Sequence, residues 1–371
     1  QKQVMDYFIK LKAFPDIQDR EYIISKSVDF CRKQVLKKAM MKSVPLLNKC
    51  SFEEIEKLIS DALRLGISND HGYDYIKDFE ARFIERARNP VTTGWAKIDK
   101  ITKGGLGQGE LVVVVAPTGA GKSHVLVHLG AQALKQGKNV VHFTLELADT
   151  SVAQRYDACL TGIPLDELIN QKDEVYDVIK DIDGQLIVKE FPTKSASVVT
   201  LKNHLEKIRQ TEMEIDMIVV DYGDLLKSST VRRNSEKRHE LESIYEELRG
   251  LGQEFGCPVV TASQTNRKGL NEEVITMESI SEAFNKCFVA DFIISLSRTI
   301  KDRNSNIARI FVAKNRNGPD GIVFSAFMDT SSVSIKVLER DDVVKLQQQQ
   351  LAKQQQKEFS KAREVFRNMK R

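Results

Sequence analysis

Apolar residues recur along this chain in two rhythms, and the rhythm changes near residue 90. From Gln1 to about Arg88 the spacing is helical. The stretch "SFEEIEKLISDALRLG" offers Ser51 as an N-cap, glutamates in the first turn, apolar positions three and four apart, and Gly66 as a stop. Downstream, short apolar runs alternate with amphipathic helical stretches: "LVVVVA" (111–116), "NVVHFTLE" (139–146), "MIVVD" (217–221), "CPVVTASQ" (257–264), "DFIISLS" (291–297) and "IARIFVAK" (307–314). They are rich in β-branched residues, and several are apolar on both faces. That pattern predicts a buried, largely parallel sheet covered by helices, a doubly wound α/β domain.

Pro90 and Gly94 in "NPVTTGW", followed by the four glycines of "KGGLGQGE", separate the two regimes. The expected division is a helical segment at 1–89, an α/β domain at 90–342 and a tail at 343–371. The tail holds seven glutamines and few apolar positions, so its composition predicts a solvated helix or a disordered extension.

Composition adds three constraints. With 371 residues and 41% hydrophobic content the chain can bury a substantial core. Net charge is +4, yet the tail alone carries +6 and leaves −2 for the rest. The five cysteines, Cys31, Cys50, Cys159, Cys257 and Cys287, include no C-x-x-C pair, which argues for free thiols in a reducing compartment. No apolar run approaches the roughly 18 residues of a membrane span, and no secretory leader opens the chain, so a cytoplasmic location is expected. A start at Gln1 rather than methionine suggests a piece of a longer product.

The sharpest chemical signal is "APTGAGKS", residues 116–123, placed between a predicted strand and a predicted helix. This is the setting of a phosphate-binding loop. Pro117, Thr118, Gly119, Ala120, Gly121, Lys122, Ser123 and His124 form the candidate nucleotide cradle. Glycines let backbone amides converge on an anion, Lys122 supplies positive charge, and the Ser123 hydroxyl suits Mg²⁺. Ala116 replaces the first glycine of the motif, a position where a small residue suffices. Hydrolysis further needs a carboxylate on the metal side and a group that orients water. Asp221, ending "MIVVD", is the first candidate, preferred over Asp224, which lies beyond the strand. Glu146, ending "VVHFTLE", is the second, although a solvated strand-end residue would look the same.

In order and spacing, "TTGWAKIDKITKGGLGQGELVVVVAPTGAGKS", "FTLELA", "MIVVDYGDLL", "VVTASQTNR" and "AKNRNGPDG" resemble the DnaB-family replicative helicases, phage-type members especially. The resemblance covers about residues 90–340, and the segment from Arg20 to Leu65 is more weakly similar to the end of that family's N-terminal domain and its linker helix. It implies a RecA-like fold, ATP or another NTP with Mg²⁺, and a homo-hexameric ring that encircles single-stranded DNA, moves 5′ to 3′ and separates duplex at a fork. A primase and a helicase loader are the implied partners. The bacterial cytoplasm is the implied compartment, that of the host for a phage-encoded chain. Residue by residue, Glu146 matches the catalytic carboxylate and Asp221 the metal-side acid. Gln264 matches a γ-phosphate sensor, while Lys314 and Arg316 of "KNRNGP" match the cations that reach a neighbour's ATP. Alternation places 314 and 316 on one side of an extended segment. No arginine lies inside the motifs that build the site within one chain.

For DNA, the resemblance points to the loop "ESISEAFNKCFVADF". Where other members carry arginine, a small residue and glycine, this chain offers Ser281, Phe284, Asn285 and Lys286. Arg232 and Arg233 in "KSSTVRRNSEKRHE" are a second candidate set. Sequence-independent charge of this kind suits a phosphate-tracking channel. The same ATPase parts would serve a strand-exchange filament. A nucleotide-gated scaffold that binds DNA without unwinding it is a second alternative, against which Glu146, Asp221 and Gln264 together argue, since a switch that never hydrolyses has no use for a water-positioning carboxylate.

Overall fold

The computed structural model describes residues 20–47, isolated positions up to 79, and then 89–228, 237–265, 274–275 and 288–339. It divides the chain into two compact units, Gln1–Arg86 and Ala87–Arg371. In the first, helix α1 (Arg20–Leu47) carries Pro45 in its last turn. Ala39 and Ser43 of this helix are buried, whereas Phe30, Met40, Met41, Val44 and Leu47 are exposed. The helix expected from Ser51 to Gly66 lies outside the described residues, apart from Glu54, Ile55 and Ile59, which are helical; the tail from 343 lies outside them entirely.

In the second unit the described residues form one nine-stranded sheet. Its strands are β1 (Leu111–Ala116), β2 (Val140–Thr144), β3 (Leu186–Glu190), β4 (Met217–Asp221), β5 (Val259–Gln264), β6 (Phe292–Ser297), β7 (Ile307–Asn315), β8 (Val323–Asp329) and β9 (Ser334–Val337). The spatial order is β3-β2-β4-β5-β1-β6-β7-β8-β9. The six strands from β3 to β6 pair in parallel, and β7, β8 and β9 continue as an antiparallel meander. The helices of this unit are α2 (Ala96–Ile101), α3 (Lys122–Lys135), α4 (Asp149–Thr161), α5 (Lys172–Ile179), α6 (Val198–Arg209), α7 (Lys237–Phe255) and α8 (Ile300–Asn304).

Strand β1 explains why its sequence is apolar at every position. Val112, Val114 and Ala116 pack with Leu126 and Leu129 of α3 and Tyr156 of α4, while Leu111, Val113 and Val115 pack with Leu201 of α6 and Leu248 of α7. With β5 and β6 on its flanks and helices above and below, all six residues are buried. The strands that sequence patterning does not single out are β3, β8 and β9. β3 is an edge strand whose last residues, Lys189 and Glu190, face solvent, and β8 is only half buried, so neither reads as a long apolar run.

The "TTGW" stretch fastens the start of this unit. Trp95 donates its indole N–H to the Ile335 carbonyl on β9 at 3.0 Å, and the Thr93 amide and hydroxyl both bond Asp99 of α2 at 2.8 Å. His128 of α3 stacks on Trp95 at 4.7 Å between centroids, with Nε2 3.1 Å from the Thr93 carbonyl.

Two enclosed histidines make stability depend on pH. Burial, reinforced by the charge of Arg155, pushes His142 on β2 down to about 3; burial pushes His128 down to about 4 despite its bond to Thr93. In the unfolded chain both titrate near about 6.5. Below that pH the unfolded state therefore binds more protons, and stability falls as pH falls, by up to about 1.4 kcal/mol per histidine per pH unit, until the folded values are reached. Urea unfolding midpoints followed from about pH 7.5 to about pH 4.5 should drop steeply in the native chain and less steeply in His142→Gln. Equal slopes in the two proteins would refute this account.

Candidate functional site

The site is built where the parallel strands end. Strand β1 runs into the loop from Pro117 to Gly121, which turns through Gly119 at φ 73° and Gly121 at φ 110°. Both values lie in the left-handed region that glycine adopts without strain. At Gly121 packing adds a second requirement, because a Cβ there would lie 2.2 Å from the Met328 methyl carbon. Gly121 also precedes α3, and no side chain caps that helix, so the first-turn amides of Lys122, Ser123 and His124 remain available to an anion. Ala116 lies opposite Gln264 in the β1–β5 register and is fully buried, which leaves room for a small residue at that position.

A cavity of about 200 Å³ opens over this loop. Thr118, Gly119, Gly121, Lys122, Ser123 and His124 line it together with Glu146, Leu147, Arg155, Gln264 and Thr330. Pro117 and Ala120 brace the turn, the Ala120 amide donating to the Pro117 carbonyl at 3.2 Å. A larger cavity of about 450 Å³ lies at the opposite ends of the strands, lined by residues such as Lys138, Asp216 and Pro258, and holds none of the predicted residues.

Strand register brings the acids together. Thr144 pairs with Asp221 across β2 and β4, and the Leu145 amide donates to the Asp221 carbonyl at 2.8 Å. Strand β2 stops at Thr144, so Glu146 stands two residues beyond the strand rather than at its end, exposed on the cavity wall.

Asp221 is fully buried, and burial pushes its carboxyl up to about 6. The Ser123 hydroxyl and the charges of Arg155 and Lys122 oppose the rise, while the charge of Glu146 adds to it. Neither carboxylate oxygen has a hydrogen-bond partner of good geometry. An enclosed acid with both oxygens unpartnered, and a serine hydroxyl beside it, fits a hard divalent cation such as Mg²⁺. Among the described residues no group of three or more His, Cys, Asp or Glu could cage a metal, so the rest of such an ion's shell would be phosphate oxygens and water.

Lys122 is buried beneath the loop, with Nζ 5.5 Å from the centroid of the Tyr222 ring. Burial lowers its pKa, and Glu146, Asp221 and Asp224 oppose that shift. His124 is pushed down to about 4, by burial first and by Arg155 second, so it is neutral at pH 7. Gln264 ends β5 and donates from Nε2 to the Tyr222 hydroxyl at 2.9 Å. Asp224 has a different task. It accepts from the Tyr245 hydroxyl at 2.8 Å and from the Ser263 hydroxyl and Gln264 amide at 3.3 Å, bracing the single 3-10 turn Gly223–Leu225.

Sequence reasoning finds no arginine in the motifs of one chain, yet the fold supplies two. Arg155 of α4 lines the cavity; burial lowers its pKa, and Asp221 and Glu146 oppose that shift. Arg303 of α8 comes within 3.9 Å of the point where a Cβ on Gly119 would stand. The only local signal for Arg155 is its place beside the buried Val152 and Tyr156 on one face of an amphipathic helix. Which strand ends that face overlooks is not encoded locally.

Lys314 and Arg316 are not brought to this cavity. Asn315 ends β7 and turns inward to the Ile101 carbonyl, while Lys314 bonds the Phe288 carbonyl at 2.6 Å and Arg316 pairs with Asp291 at 3.0 Å. Asp291 bonds the amide of Leu111, the first residue of β1, whereas the phosphate loop follows Ala116, its last. Five residue steps at about 3.3 Å put roughly 16 Å between the two places. Arg232, Arg233, Ser281, Phe284, Asn285 and Lys286 lie outside the described residues.

A family model, the DnaB-like helicase C terminal domain, matches residues 90–336. The chain is 30% identical over 258 residues to the DnaB-like replicative helicase of Enterobacteria phage T4, a match covering 66% of this chain and 54% of that protein. It is 25% identical over 343 residues to the replicative DNA helicase DnaB of Mycoplasma genitalium, covering 84% and 72%. The chain thus spans about half the length of the phage T4 relative. Among solved structures, an isolated ATPase domain superimposes with a TM-score of 0.61 at 17% identity, over 72% of this chain and all of that one. A DnaB-like replicative helicase described with its interactions with primase gives 0.60 at 17%, over 90% and 83%. Both likenesses establish a RecA-like ATPase fold.

Proposed function

The chain belongs to the DnaB-like helicase family, and from that membership we propose that it is an ATP-driven ring helicase. Six copies would encircle one DNA strand, move along it 5′ to 3′ and separate duplex at a replication fork. One observation carries the reading. A single chain gathers Lys122, Ser123, Glu146 and Gln264 around one cavity of about 200 Å³ backed by the buried Asp221, and keeps Arg316 at the opposite ends of the parallel strands. Such a layout suits an enzyme whose site is completed by the next subunit.

In this reading the loop amides and Lys122 hold the β- and γ-phosphates, and Ser123 and Asp221 hold Mg²⁺. When bound, the ion neutralises charge on the phosphate oxygens. Glu146 draws the proton of an attacking water, and Gln264, adjoining the γ-phosphate position, transmits its presence through Tyr222 and β5. Arg155 provides a cation from the same chain. The relative described with primase supports a primase as one partner; a loader is proposed from the way of working alone. A cytoplasmic place of work is proposed from the bacterial and phage relatives. Among the described residues no helix is long and apolar enough to cross a membrane.

A forked duplex with a 5′ single-stranded tail, incubated with ATP and Mg²⁺, tests the reading. Strand displacement without strand pairing is the expected result. Pairing activity would mark a strand-exchange filament, and binding without displacement a scaffold. For the DNA path, replacing Lys286, or Arg232 and Arg233, by Ala should weaken single-strand binding alike on all sequences. The salt slope should flatten by about one unit per lost contact. Unchanged affinity and slope in both variants would move the DNA path elsewhere.

A further inference from the structure

The opposite ends of strands β1 and β6 carry a charge cluster that the nucleotide site does not use. Asp291 is buried and precedes β6. Its Oδ2 accepts from the Leu111 amide and from Arg249 Nε, both at 3.0 Å. Its Oδ1 accepts from Arg249 Nη2 at 3.1 Å and forms an ion pair with Arg316 Nη1 at 3.0 Å. The main chain repeats the link, since the Arg316 amide donates to the Asp291 carbonyl at 3.0 Å. Lys314 lies alongside, bonded to the Phe288 carbonyl with its ammonium 4.8 Å from the centre of the Phe288 ring.

One buried carboxylate needs one cation for neutrality, and the two-pronged fork of Arg249 from α7 already provides it. Arg316 is in excess of that need. It is held through one terminal nitrogen, and its side chain is 44% exposed against 30% for Arg249 and 7% for Asp291. Arg249, Lys314 and Arg316 around Asp291 leave this cluster net positive. That charge suits a phosphate arriving from outside the chain.

We propose that Asp291 and Arg249 are positioning residues for Arg316: the carboxylate aims the guanidinium outward toward a neighbouring subunit's γ-phosphate, and the Arg249 fork fixes the carboxylate against β1 and α7. The inference rests on the reading that Arg316 serves a neighbour's site. Without the fork, Asp291 keeps its place on Leu111 but gains freedom to rotate, and Arg316 wanders with it. A misplacement on the order of 1 Å is enough to cost up to about 10²-fold in rate.

The test uses assembled full-length chains carrying Arg249→Met, which keeps much of the aliphatic stem, and Arg249→Lys, which keeps the charge. DNA-stimulated ATP hydrolysis by Arg249→Met should lose about 10-fold in kcat with KM for ATP little changed, because its own phosphate loop is intact; Arg249→Lys should fall in between. Mixing either variant with an excess of Lys122→Ala subunits, which have an intact Arg316 but no phosphate binding, should restore turnover per variant subunit. Mixing with Arg316→Ala subunits should not. A wild-type kcat in either Arg249 variant, or no rescue of Arg249→Lys by Lys122→Ala subunits, overturns the positioning role. Failure of Arg316→Ala itself to be rescued by Lys122→Ala would instead overturn the underlying reading, so the two failures are distinguishable.

Discussion

Replacing Glu146 by Gln should leave nucleotide binding intact and slow ATP hydrolysis by about 10²-fold or more, the usual worth of a positioned general base. The substitution is nearly isosteric, and Glu146 is exposed on the cavity wall beyond the end of β2, so the fold loses little. Lys122→Ala should behave differently. That side chain is buried under the loop, facing the three acids Glu146, Asp221 and Asp224, and its loss removes phosphate binding together with turnover. Binding of a fluorescent ATP analogue and steady-state hydrolysis, measured on both variants, separate the two effects. Wild-type hydrolysis by Glu146→Gln would reassign the water-orienting task, and Asp221 is poorly suited to inherit it because it is fully enclosed.

The larger effect concerns Arg316. Arg316→Ala is expected to lower turnover by about 10³- to 10⁵-fold, the range for a guanidinium supplied to a phosphoryl-transfer site. Its anchor Asp291 is bonded to Leu111, and roughly 16 Å of β1 separates that point from the phosphate loop of the same chain, too far for an arginine side chain to bridge. Arg316→Ala and Lys122→Ala should therefore each be nearly inactive alone, whereas mixtures regain part of the hydrolysis. Some interfaces then pair an intact loop with an intact Arg316. Hydrolysis is the quantity to follow, since coupling around the proposed ring would block unwinding even where single sites work. Arg155 and Arg303 sharpen the outcome, because both lie near the loop in the same chain. If confirmed mixed assemblies show near-zero turnover at every ratio, the needed cation comes from these residues, and Arg316 has another task.

How much of this is readable in a linear chain depends on the range of the interactions involved. The six long apolar runs were identifiable as strands because most of their positions are buried, and burial on both faces favours runs of β-branched and apolar residues. The phosphate loop was identifiable because its requirements are local: glycines at positive φ, a helix start without a cap, a lysine and a serine at fixed offsets. Strand β3, at the edge, and the half-buried β8 were not, since an edge or a half-covered face tolerates polar residues and blurs the pattern. The roles of Asp224 and Arg155 were also beyond the sequence. Asp224 looks like a spare metal-side acid until Tyr245, twenty-one residues away, is seen donating to it, and Arg155 is one helix arginine among many until α4 is laid across the strand ends. The same holds for Asp291, which joins Leu111, Arg249 and Arg316 through contacts that only the strand order β5-β1-β6-β7 creates. Sequence by itself determined the six long strands and the glycine-rich loop that precedes α3, because both arise from neighbours along the chain. Tertiary structure alone decided which charges share a site and which stand at opposite ends of the strands, because that depends on how distant segments pack.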